Sequence, residues 1–135
     1  MTIRRLFISC VLAVFALTLI FTQAFAAVGN QNPNLTVQLT ITPTIITAPS
    51  QVTASASITN NTNKTDRVVA KVEIVSPGGT ATTYTEKYTI RAGKTVSETV
   101  IYTVAADAEK GVYTITLLAT DKAGASWATE YLIVE

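Results

Sequence analysis

Acidic pairs, a few aromatic rings and rows of threonine hydroxyls are the parts of this chain that could do chemistry. Asp107, Glu109 and Asp121 carry the hard oxygens that calcium selects. Asp107 and Glu109 alone are too few ligands for a tight site. Asp121 falls at the far end of one extended segment, roughly 30 Å away at about 3.3 Å per residue. Glu86 and Glu98 lie in neighbouring runs and could meet as a cross-strand pair of the kind a glycosidase uses. Lys87 and Lys94 are close by, a sheet face supplies no cleft, and like charges placed opposite each other repel. Surface solubility explains both glutamates better. Residues 27–135 hold neither His nor Cys, which excludes ordinary zinc and copper sites and Ser-His-Asp or Cys-His nucleophiles. The rings available to stack on a sugar are Trp127, Tyr131, Tyr84, Tyr88 and Tyr102. Trp127, just after the loop at 122–125, is expected to be partly exposed and is the one possible ligand contact. Threonine rows at Thr40/Thr42, Thr83/Thr85 and Thr114/Thr116 suggest a flat ice- or crystal-binding face, but twisted sheets rarely hold such rows in register. Asn34, Asn60 and Asn63 begin Asn-x-Thr sequons, which matter only in a host that glycosylates them.

The N-terminus reads as an address. Arg4 and Arg5 precede an uncharged, largely apolar run at 6–21, and Ala24-Phe25-Ala26 then fits the small-x-small rule for signal peptidase. Cleavage is expected before Ala27, leaving no membrane span, because the run is short of the about 20 apolar residues a span needs. An uncleaved anchor competes with this reading. A lipoprotein cut at Cys10 fits less well, since most of the apolar run follows that cysteine. The expected destination is extracellular, cell-surface or periplasmic. The remaining 109 residues carry eight cationic and nine anionic side chains. Nothing in that balance attracts a polyanion, so nucleic acid is a poor partner.

What must position these groups is a set of strands. Apolar residues alternate with polar ones in "NLTVQLTIT", "QVTASASITN", "RVVAKVEIVS", "TYTEKYTI", "TVSETVIYTV", "VYTITLLATD" and "SWATEYLIVE". Glu86 interrupts the apolar face of the fourth run, which marks it as an edge strand. In the seventh, Trp127, Tyr131 and Ile133 compete with Ala128, Leu132 and Val134 for the buried face. Ser76-Pro77-Gly78-Gly79 reads as a type II turn, and 91–94 and 122–125 as hairpin loops. Residues 105–111 offer one helical turn at most. Residues 27–34 are expected to form a flexible leader, and 35–135 an all-β, seven-stranded antiparallel sandwich.

The segments "ITNNTNKTDRVVAKVEI", "IRAGKTVSETVIYTV" and "KGVYTITLLATD" resemble the immunoglobulin and fibronectin type III-like domains of secreted bacterial proteins, particularly the cell-adhesion-related kind. The likeness covers most of 35–135. It lacks the antibody-type cysteines, with Ala54 or Ala56 and Leu117 near those places. It implies a tyrosine corner at Tyr113, whose hydroxyl would return to the preceding loop. It also implies a non-catalytic interaction or adhesion module without cofactor, whose partner is another protein or a cell-surface polymer. A fibre subunit assembling by strand addition through residues 28–41 is the alternative, and a carbohydrate-binding module comes third.

Overall fold

Alternation with period two produces nine β-strands, and no helix, among the residues that this computed structural model describes, 27–30 and 32–135. They are β1 (Ala27–Asn30), β2 (Leu35–Thr42), β3 (Ile45–Ile46), β4 (Ser50–Asn60), β5 (Asp66–Val75), β6 (Ala81–Ile90), β7 (Thr95–Val104), β8 (Gly111–Asp121) and β9 (Gly124–Val134). The seven expected runs are β2 and β4–β9. β1 and β3 are additional, and both are too short to display a period. The signal peptide, the anchor and the cut at Cys10 all fall on residues 1–26, outside the described residues.

The strands form two sheets. One runs β1-β9-β8-β5-β6, with β3 also on β9; the other runs β2-β4-β7. All pairings are antiparallel except β3 with β9. The outer edge of β9 is covered in two halves, by β1 opposite Ser126 to Thr129 and by β3 opposite Ile133 and Val134. The stretch expected as a flexible leader therefore contains a strand. It is also pinned: Asn32, only 1% exposed, donates from Nδ2 to Asp121 Oδ1 (2.7 Å) and to the Gly124 carbonyl (3.1 Å).

The core lies between the sheets and is built from alternate residues of each strand, among them Leu35, Val37, Ile58, Val68, Val72, Ile90 and Leu117. Ala128, Leu132 and Val134 supply the last strand's contribution, which settles its facing. Trp127, Tyr131 and Ile133 lie on the outer side. Register explains why: Leu117 pairs with Ala128 and Tyr113 with Leu132, so residues opposite the core positions of β8 must themselves point inward.

The turns differ from expectation in two places. Residues 91–94 close no hairpin: they carry the chain from β6 in one sheet to β7 in the other, because β6 pairs with β5 and β7 with β4. Ser76 to Gly79 closes through Gly79 N–H to the Ser76 carbonyl (2.9 Å), but the positive φ (86°) is on Gly79 and not on Gly78. A type II turn needs it at the third residue, so this turn is not the expected type. Gly111 enters β8 at φ 128°, and a Cβ there would stand 2.8 Å from Pro77 Cβ. Only glycine fits where the corner crosses that turn.

Tyr113 is buried at the start of β8, and its hydroxyl donates to the Glu109 carbonyl at 2.9 Å. Burial first, and the Glu109 charge second, push its pKa up to about 12. Tyr113→Phe should cost about 0.5–1.5 kcal/mol in urea melts. A loss indistinguishable from zero would mean the bond adds nothing over water.

Candidate functional site

The acids expected as calcium ligands are separated. Asp107 is exposed and Glu109 buried in the corner before β8, and Asp121 closes the opposite end of that strand. Asp107 is therefore a solvated loop residue, and Glu109 is not. Among the described residues no group of three or more His, Cys, Asp or Glu side chains could hold a metal ion.

Asp121 instead organises the top of the fold. Its Oδ1 accepts from Ala123 N–H (2.6 Å), from Gly124 N–H (3.1 Å) and from Asn32, while Oδ2 accepts from Asn34 Nδ2 (3.4 Å). Asp66 at the start of β5 stands beside it. Burial and the hydrogen bond shared with Asp121 raise the Asp66 pKa above the ordinary carboxyl value. Burial alone would raise Asp121 as well, but the Ala123 N–H, the Asp66 carboxyl and the two asparagine amides hold it below that value. The signs are opposite. Asp121 contributes stability above its unfolded pKa, lost as pH falls through its folded one. Asp66 contributes stability below its unfolded pKa, lost as pH rises through its folded one. Asp66→Asn should therefore raise the melting temperature at pH 7, with the gain shrinking towards pH 3. A gain that ignores pH would break the link to Asp121.

Glu86 and Glu98 are not a cross-strand pair. β6 pairs with β5 and β7 with β4, placing Glu86 opposite Ala70 and Glu98 opposite Ala56 in different sheets. Both have inward parity, alternating with exposed residues and in phase with the buried Tyr88 and Val104. Tyr84, Tyr88 and Tyr102 share those inner faces. Tyr88 is 6% exposed, and its hydroxyl has no hydrogen-bond partner among the described residues. Burial, then Glu86 and Glu98, push its pKa up to about 12. Burial also raises Tyr102.

Trp127 is half-buried on the outer face of β9, opposite Leu118 of β8, with Tyr131 on the same face four residues on. The threonine rows divide between two faces. Thr83/Thr85 and Thr114/Thr116 lie outside the six-stranded sheet, and Thr40/Thr42 outside the other. The three-stranded sheet carries an array that the sequence did not reveal, because its members come from distant strands. Thr36–Thr59–Thr95, Gln38–Ser57–Ser97 and Thr40–Ser55–Thr99 form uncharged cross-strand rows. Thr59 and Thr95 hydroxyls lie 2.7 Å apart, and Ser55 and Thr99 hydroxyls 3.0 Å. Of the sequons, Asn63 is exposed, Asn34 half-buried and Asn60 fully buried. The Asn60 side chain donates to the Lys64 and Ile90 carbonyls (2.8 and 2.9 Å) and accepts from Thr62, so it offers no amide to a transferase in the folded chain.

No family model and no curated protein matches the chain. Solved structures do. The alkylpurine DNA glycosylase AlkC of Pseudomonas fluorescens, bound to DNA containing an abasic site analog, aligns over 76% of this chain and 30% of its own at TM-score 0.60 and 12% identity. The sporulation control protein Spo0M of Bacillus subtilis aligns over 77% and 50% at TM-score 0.53 and 10% identity. The β-glucosidase EmGH1 of Erythrobacter marinus aligns over 75% and 15% at TM-score 0.52 and 12% identity. The chain is a sandwich of a kind found within larger proteins, spanning half or less of each of these three. At such identities the likeness extends to the fold alone.

Proposed function

We propose that this protein is an exported, non-catalytic interaction module of immunoglobulin or fibronectin type III-like form, acting on another protein or a cell-surface polymer. The observation that carries the fold part is the Tyr113 corner. A tyrosine at the start of a strand returning its hydroxyl to the backbone four residues upstream, at 2.9 Å, is the corner such sandwiches use. A three-stranded sheet, β2-β4-β7, lying over β9-β8-β5-β6 is in keeping with it. The interaction role rests on the resemblance of the quoted segments to such domains, which usually carry no chemistry of their own.

Strand addition has less support. The segment at 28–41 is already used, with β1 on β9 and β2 on β4. Size-exclusion chromatography at rising concentration tests this: a module stays at monomer volume, and a laddering profile would favour the fibre reading. Export is tested by intact mass of the secreted protein, expected to begin at Ala27, the first residue of β1. A membrane-retained species starting at Met1 would overturn it. A glycan array, with Trp127→Ala as control, addresses sugar binding.

A further inference from the structure

We infer that the flank of the sandwich between β6 and β7 is a recognition site for a primary ammonium group, held by the Glu86 and Glu98 carboxylates and the Tyr88 hydroxyl. β6 and β7 are the outermost strands of their sheets, and they lie on the same side of the molecule. β2, the opposite edge of its sheet, packs across β9 and β8, so the strand orders set β7 on the β5 and β6 side. Parity then turns Glu86 and Glu98 from opposite walls into one gap. Their strand neighbours there are Ala70 and Ala56, which occupy little of the space between the layers. Neither carboxylate has a hydrogen bond or an ion pair among the described residues, where the ion pair is Lys71 with Glu73 on the outer face. Two residues from Glu86 on the same inner face of β6, Tyr88 carries a hydroxyl removed from solvent and without a hydrogen-bond partner among the described residues. Both carboxylates act on that hydroxyl electrostatically, in agreement with the placement that parity and strand order give them.

Two like charges aimed at a half-buried gap repel, and an unmade buried hydrogen bond is unfavourable. One ligand answers both. An ammonium group has three N–H donors and no acceptor, matching two carboxylates and a phenolic oxygen, and its charge offsets the repulsion. Tyr84 and Tyr102 on the same walls make the gap aromatic, which favours a cation further. Calcium fits less well, because it takes about 6–8 oxygens. The ammonium could belong to a free alkylamine or to a lysine side chain of a partner. The inference is independent of export and of the kind of sandwich.

The test titrates the full chain, with 13C-labelled tyrosine rings, against n-butylammonium chloride and separately against acetyl-Gly-Lys-Gly-amide. Tetramethylammonium chloride at matched ionic strength is the control, being a cation without N–H donors. A saturable shift of the Tyr88 ring is expected with either or both of the first two and not with the control. A response to butylammonium alone identifies a small amine, and a tighter response to the peptide a lysine. Glu86→Gln and Glu98→Gln should each weaken binding by about tenfold or more, the equivalent of one charge-assisted hydrogen bond. Tyr88→Phe should weaken binding while leaving the melting temperature equal or higher, which a merely structural tyrosine would not do. The proposal is overturned if neither probe gives a saturable shift, if tetramethylammonium gives the same one, or if both glutamine variants bind like the parent.

Discussion

Leu117→Ala is expected to lower the unfolding free energy by about 2–5 kcal/mol. Leu117 has no exposed surface and lies mid-way along β8, paired with Val72 on one side and Ala128 on the other. The truncation leaves a void between two sheets whose backbones are held by ladders on both sides, so the walls can relax only partly. Thr116→Ala, one residue away, is the internal control. Thr116 is half-exposed on the outer face, and its Oγ1 meets Thr129 Oγ1 at 2.9 Å. Its loss should stay within about 0.5 kcal/mol of wild type. Urea melts of the two variants measure the facing of β8 directly. Equal costs would mean that the strand is turned by one residue, and every inward position of its neighbours with it.

Asn60→Ala should cost about 2–4 kcal/mol, a large figure for a polar residue at a strand end. The side chain is fully buried and makes four contacts. Nδ2 donates to the Ile90 and Lys64 carbonyls, and Oδ1 accepts the Thr62 backbone N–H (2.9 Å) and hydroxyl (2.7 Å). Its own backbone N–H reaches the Lys94 carbonyl at 2.9 Å. Asn60 thus ties the β4–β5 loop to the β6–β7 turn, and alanine would leave the Ile90 carbonyl without this donor in the interior. Asn60→Asp is a sharper variant, since a carboxylate cannot donate to Ile90 and would place a charge there. Urea melts at neutral pH should rank Asp below Ala, and both well below Asn63→Ala. If Asn60→Ala melts with the parent, water replaces the network without loss.

Strand identity and facing were legible because they depend on neighbours in the chain. Side chains two apart share a face, so the pattern Leu35, Val37, Leu39, Ile41 could be read without knowing what it packs against. The Tyr113 corner was expected through the family resemblance, and its acceptor lies only four residues away. The facing of β9 was not legible: both of its faces carry apolar residues, and only register with β8 separates them. β1 and β3 were missed because two to four residues cannot show a period, and their pairing with β9 closes contacts across most of the chain. Asn60 read as a sequon and Asn32 as part of a loose leader, since nothing local says that an amide will be buried.

The sequence by itself determined that this is a chain of alternating strands, with no His or Cys after residue 26 on which to build ordinary metal or nucleophile chemistry. Those properties are local sums, and no fold can change them. Tertiary structure decided which distant groups meet. Glu86 and Glu98 look like strand neighbours twelve residues apart, yet they belong to edge strands of different sheets. Asp66 joins Asp121, and the hydroxyls of β2, β4 and β7 line up. A period of two says which side a residue takes, but the order of strands in the sheets sets its company, and that order is settled by packing across the core.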